Sequence, residues 1–230
     1  MYYLIETQDQ LKRFFSDEGN ECYLQFITNN DDVHPKLQSL CALYIYSFSK
    51  EKGFIINLNH PEAFELELPI NYLRTYTNIF VKEKIKSLLY IPTLPYTDIQ
   101  SIYYLLKNEP LEGLPKTGTH TFYERKYGVN NVNKIIPLAK HYEALEEEFN
   151  AIYPYVLNYK SEESNKWYNE ILTPTLAKMV NEGFKINEEF KKHFDINEKF
   201  SIDENKIYGW YNFCTTTGRP TNNFNSVNFS

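Results

Sequence analysis

The chain has 230 residues, a formal net charge of −6 and a hydrophobic content of 42%, to which twenty Tyr and sixteen Phe contribute. That length allows one large domain, or one and a half, around an aromatic core. Non-specific nucleic-acid binding runs on Lys/Arg neutralising phosphates. An acidic chain with no long basic run is therefore expected to be a poor DNA binder on average, with a local basic groove left open and DNA contact expected only as part of something larger. Three distant cysteines, Cys22, Cys41 and Cys214, form neither a Cys-x-x-Cys metal pattern nor a disulfide framework. They read as buried free thiols in a reducing compartment. The first residues lack the basic-then-apolar order of a secretory signal. No apolar run approaches the ~18–20 residues that span a bilayer, so a soluble, cytoplasmic protein is expected.

In chain order, residues 2–5 read as a short strand. Thr7 then caps a helix that carries Leu11, Phe14 and Phe15 on one face. A strand is expected over Cys22 to Thr28, followed by a turn at residues 29–35. Leu40 to Phe48 and Gly53 to Leu58 form a hairpin closed near Ser49 to Lys52. A helix over 69–76, a strand from Asn78 to Val81 and a helix from Asp98 to Lys107 follow. Residues 108–121 read as a loop. Helix is expected again over Phe122 to Tyr127 and from Ile135 to Leu157, where Glu143, Glu146, Glu147 and Glu148 read as a solvated face. The polar stretch from Tyr159 to Asn165 is the best boundary. A helix from Trp167 to about Glu182 comes next, packed through Ile171, Leu172, Leu176, Met179 and Val180 and ended by Gly183. The order predicts an α/β fold, a mixed sheet flanked by helices.

Two late segments carry the most specific signal. Residues Trp167 to Asn187 contain Met179, Asn181, Glu182, Gly183, Phe184 and Ile186 in a helix-to-extended pattern. The tail runs from Tyr208 through Thr217-Gly-Arg219 to Asn222, Asn223, Asn225 and Asn228. Together they resemble family A (DNA polymerase I-like) DNA polymerases of phage or viral type, where such segments precede the thumb and enter the palm. The resemblance implies that Arg219 reaches the minor groove at a primer terminus, with Thr217, Asn222, Asn223 and Asn228 near DNA. The acceptors there occur on every base pair, so such an Arg senses pairing shape rather than sequence. Only about twenty residues separate Asn187 from Tyr208, so the thumb region is reduced. The metal-binding carboxylates of the palm would lie beyond residue 230. The chain is therefore expected to be a truncated polymerase, or half of a split one that a second polypeptide completes.

The same resemblance implies a ribonuclease-H-like 3′–5′ exonuclease domain at residues 1–159, a helix and reduced thumb at 160–207, and the start of the palm at 208–230. Such nucleases hold two metal ions with carboxylates from separate strands and helices. Here Gln25 and Ile27 stand at the two carboxylate positions of the first strand, before Thr28. Lys86 stands at the second motif's Asp position, and Tyr142 and Glu146 stand at the third motif's Tyr and Asp. An amide, an isoleucine and a lysine cannot build a two-metal centre, so no catalytic residue and no cofactor are assigned to this chain. Mg²⁺ is expected only for the completed polymerase, with primer-template DNA as its partner. Two alternatives stay open: a nuclease with relocated carboxylates (Asp31, Asp32, Asp98, Glu146), and a non-catalytic module that docks on a replication partner. The five His residues show no metal spacing, and neither a Gly-x-Ser-x-Gly nor a phosphate-binding Gly-rich loop is present.

Overall fold

The structure is a computed structural model. It describes residues 2–17, 19–29, 34–107, 123–126, 129–159, 163–185, 189, 202–203, 206–212 and 221–222. Its centre is a six-stranded mixed sheet. The strands are β1 (Leu4–Ile5), β2 (Glu21–Thr28), β3 (Leu40–Ser47), β4 (Lys52–Asn57), β5 (Asn78–Val81) and β6 (Tyr96–Asp98), in the order β1-β4-β3-β2-β5-β6. β3 runs antiparallel to both its neighbours, whereas β5 and β6 continue parallel from β2.

The longest strands are buried on both faces, which their nearly continuous apolar runs dictate. Cys22, Leu24 and Phe26 enter a core with Leu11 and Phe14 of α1 (Gln8–Ser16) and with Leu73 of α2 (Ile70–Leu73). Thr7 caps α1 as expected: its hydroxyl accepts from Gln10 N at 3.2 Å, while Gln10 Oε1 accepts from Thr7 N. The other end of α1 is neutralised by Lys50, whose ammonium donates to the Phe14 carbonyl at 3.2 Å. On the opposite face Tyr23, Ile27, Tyr44 and Ile55 pack under α5 (Leu138–Leu157) through Leu138, Tyr142, Leu145, Phe149 and Ile152.

Several expectations are corrected. Within the helix expected over Phe122 to Tyr127 the described residues are strand β7 (Tyr123–Lys126), paired antiparallel with β8 (Val129–Ile135), which also takes the expected start of the next helix. Val129, Val132 and Ile135 favour extended backbone, and the residue before Pro137 is biased away from the helix. α5 accordingly begins at Leu138. The helix expected over 69–76 is only α2, four residues long. Tyr96 to Asp98 is a strand, and α3 (Lys84–Tyr90), which sequence periodicity did not show, precedes it. α4 covers Ile99–Lys107. The expected turn at 29–35 and loop at 108–121 fall wholly or mostly outside the described residues.

The helix expected from Trp167 begins earlier and is not uniform. α6 (Glu163–Trp167) passes through a π-helical turn at Tyr168–Leu172 into α7 (Thr173–Glu182). Its buried stripe is Asn165, Asn169, Thr173, Leu176, Ala177 and Val180, while Ile171 and Met179 are exposed. The expected face was misplaced because the N-terminal half of the true one is polar. In the π turn the Thr173 N–H bonds back to the Tyr168 carbonyl. The residue that would serve the next carbonyl, that of Asn169, is Pro174, which has no N–H. The Asn169 carbonyl instead accepts the Lys84 ammonium at 2.6 Å.

Lys84 also donates to the Tyr96 carbonyl at 2.6 Å, and Asp98 N donates to Asn169 Oδ1 at 2.7 Å. A small core of Ile85, Tyr104, Leu176, Ala177, Val180 and Tyr211 completes this join. Gly183 ends α7 with φ 66°, and its N–H donates to the Met179 carbonyl. β9 (Phe184–Lys185) pairs with β11 (Lys206–Ile207), which pairs with β10 (Ile202–Asp203). β12 (Tyr211–Asn212) pairs with β13 (Thr221–Asn222).

Candidate functional site

The face of β2 that meets α5 displays Tyr23, Gln25 and Ile27, because alternate residues of a strand share a face. Gln25 is half-buried and the other two are fully buried. The Tyr23 hydroxyl lies 3.4 Å from Gln25 Oε1 and within hydrogen-bonding reach of Glu148. Glu148 is completely buried, and its carboxylate pairs with the Lys82 ammonium at 2.9 Å. Burial first, and the adjacent Glu148 charge second, push the Tyr23 phenol well above its ordinary value. The phenol therefore stays protonated as a donor.

Tyr142 and Glu146 are also brought together, around Tyr44 of β3. The Tyr44 hydroxyl donates to Glu146 Oε2 at 2.7 Å, and the Tyr44 and Tyr142 rings lie 6.0 Å apart. Burial, then the Glu146 contact, raises both phenols. Gly53 of β4 leaves room for this pair, since a Cβ there would run into the Tyr44 hydroxyl and the Glu146 carboxylate. Glu146 is thus held over β3 and β4, while Glu148 is the carboxylate at Tyr23.

Reading all four glutamates as solvated is therefore corrected: Glu143 and Glu147 are exposed, Glu146 is half-buried and Glu148 is fully buried. Lys86 is half-buried on α3, which packs on α7 through Ile85. The lysine that the structure sets at this face is Lys82. Both residues carried a signal. Glu148 falls in the helical series Leu145, Glu148, Ile152, and Lys82 has the same strand parity as Phe80.

Asp98 is fully buried and already engaged. Oδ1 accepts from Lys84 N at 2.9 Å, and Oδ2 accepts from Ser101 N at 3.1 Å and from the Ser101 hydroxyl. Burial raises its pKa to about 6 against those hydrogen bonds. Asp31, Asp32, Thr217, Arg219, Asn223, Asn225 and Asn228 lie outside the described residues. Asn222 is described only as backbone of β13. Cys22 and Cys41 are buried free thiols, and Cys214 lies outside the described residues.

The donor set does not suit a pair of divalent metals. One carboxylate at Tyr23 is neutralised by an ammonium, the other accepts from a phenol, and the remaining group is an amide. Among the described residues no group of three His, Cys, Asp or Glu could hold a metal ion.

Of the solved structures, RNase D from Trypanosoma brucei is similar with a TM-score of 0.51 and 11% identity, over 76% of this chain and 72% of that one. A nuclease solved in its apo form is similar with a TM-score of 0.50 and 11% identity, over 86% and 98%. The fold is ribonuclease-H-like and exonuclease-like. No family model matches the chain, and no curated protein matches its sequence. Among the described residues no helix is long and apolar enough to cross a membrane.

Proposed function

We propose that this chain is the N-terminal part of a family A DNA polymerase, in which an exonuclease-like domain serves as a scaffold without nuclease chemistry. One contact carries the reading. The two segments that resemble the polymerase meet on the exonuclease-like fold: a Cβ on Gly183 would stand 2.9 Å from the Tyr208 ring. Tyr208 in turn packs on His34, with ring centroids 5.0 Å apart, beneath the Lys36 ammonium. Lys36 also donates to the Asn181 carbonyl at 3.3 Å, at the end of α7. The end of α7 and the segment at Tyr208, taken in this reading as the helix before the thumb and the entry to the palm, are thereby held together.

In this reading the chain guides primer-template DNA in replication, in the cytoplasm of a host cell. Arg219, with Thr217, Asn222, Asn223 and Asn228, contacts the primer terminus. Further palm and finger elements, on a longer or a second polypeptide, supply the nucleotidyl-transfer site and its Mg²⁺. Asp98, one candidate of the relocated-carboxylate alternative, has both oxygens accepting hydrogen bonds from Lys84 and Ser101.

The test is a primer-extension and single-strand degradation assay with Mg²⁺ and deoxynucleotides. The chain is assayed alone and with the product of the downstream reading frame. Extension only with both present, abolished by Arg219→Ala, is the expected result. Degradation by this chain alone, or no extension in any combination, overturns it.

A further inference from the structure

We infer that the Lys82 ammonium, fixed by Glu148, stands on the nuclease-like face as a built-in substitute for a bound cation. This rests on the reading of that face as chemically inert, and it says what replaced the metal. Glu148 is completely buried, and a carboxylate there requires a positive charge close by. Lys82 supplies it at 2.9 Å, with its side chain only 16% exposed. Tyr23, a protonated phenol on β2, lies against the same carboxylate, and Gln25 adds a neutral amide beside it. Glu83 acts on Tyr23 as well, more weakly than Glu148.

The cluster of Lys82, Glu148, Tyr23 and Gln25 is thus close to neutral without any metal. Among the described residues, a divalent ion placed in this cluster would meet an ammonium and a carboxylate already paired with it. The ion pair also does mechanical work. Lys82 directly follows β5, and Glu148 lies midway along α5. Their bond ties α5 across the sheet, as a metal bridging carboxylates from strand and helix would. Attachment of α5 is then independent of divalent ions, and removing the ammonium alone creates a need for one.

The experiment follows thermal unfolding of the chain and of Lys82→Met in EDTA and in millimolar Mn²⁺, at pH 7 and pH 5. Mn²⁺ binding to the unmodified chain is measured by electron paramagnetic resonance. The unmodified chain is expected to bind no Mn²⁺ at this face and to melt at the same temperature in EDTA and Mn²⁺. Lys82→Met should melt lower by about 10 °C. It should recover part of that loss at pH 5, because a buried carboxylate stripped of its cation favours the neutral form, and part in Mn²⁺. Lys82→Arg, which keeps the charge, and Lys82→Met with Glu148→Gln, which removes both charges, should each melt well above Lys82→Met.

Mn²⁺ binding by the unmodified chain that is lost in Glu148→Gln overturns the inference. So does a Lys82→Met variant as stable as the parent or unresponsive to both pH and Mn²⁺. If Lys82→Met does not fold, the Mn²⁺ measurement and the paired variant still decide. These readouts need no polymerase partner. A failed primer extension therefore leaves them intact, whereas Mn²⁺ uptake with strand degradation would overturn both readings.

Discussion

Two buried charge clusters flank the end of β5, and they hold their charges by different means. At Lys82 and Glu148 the two ions meet directly. Two residues on, Lys84 and Asp98 are close, but each charged group is satisfied largely by neutral groups. The Lys84 ammonium donates to the Tyr96 and Asn169 carbonyls, and Asp98 accepts from the Lys84 backbone N–H and from Ser101. Burial lowers Lys84 to about 8, the nearby Asp98 charge opposing it, and lifts Asp98 to about 6. A direct pair ties one helix to the sheet. The dipole-lined cluster ties residues 163–182 to the sheet through Asn169, whose carbonyl accepts from Lys84 and whose Oδ1 accepts from Asp98 N.

The sharpest way to break the comparison is to delete each lysine. Lys82→Met should cost about 3–5 kcal/mol by stranding a buried carboxylate. Lys84→Met should cost less, about 2–3 kcal/mol, since it strands two carbonyls while Asp98 keeps its hydrogen bonds from the residue-84 backbone N–H and from Ser101. Denaturant melts check both. Hydrogen exchange should show loosening of residues 163–182 in Lys84→Met, whereas in Lys82→Met the loosening should fall on α5. A comparable pattern in both variants would erase the distinction.

The Lys84–Asp98 cluster responds to pH from both sides. Asp98 has a folded pKa above its unfolded value, so its contribution is full below about pH 4 and is lost as pH rises through 6. Lys84 has a folded pKa below its unfolded value, so its contribution is full above about pH 10.5 and is lost as pH falls through 8. Each limb is expected to be on the order of 3 kcal/mol. Asp98→Asn should flatten the acidic limb and Lys84→Met the alkaline one, in stability measured against pH.

Gly183→Ala is expected to cost about 1–3 kcal/mol through its positive φ and the approach of Tyr208. It should do so without moving either limb. The smallest expected effect is Thr7→Ala, about 1 kcal/mol from the lost cap of α1. It is far from both clusters and serves as the control.

Much of the fold was legible in the sequence. The apolar runs of β2, β3 and β4 and the capped helix after Thr7 follow from local rules, and the hairpin loop lies where the turn residues put it. The candidate face was legible in outline, since Gln25 does share a face with Tyr142, but its chemistry was not. Glu148 was hidden in a run of glutamates whose composition suggested solvent, although its spacing from Leu145 and Ile152 placed it inward. Lys82 was hidden because the lysine four residues on matched a motif better. Residues 123–126 were missed because Tyr123, Glu124, Arg125 and Lys126 carry no alternation of apolar and polar residues that would mark a strand. Asn165, Asn169 and Thr173 were missed because a polar buried stripe leaves no hydrophobic period to read.

The irregular turn at Tyr168–Leu172 has a consequence for how this chain tolerates change. Pro174→Ala would raise helix propensity and would look like a repair of the segment in isolation. It would also give the Asn169 carbonyl an N–H of its own to bind, in competition with Lys84. The substitution that improves the helix by itself would thus loosen its seat on the sheet, and selection on the two properties would pull this position in opposite directions.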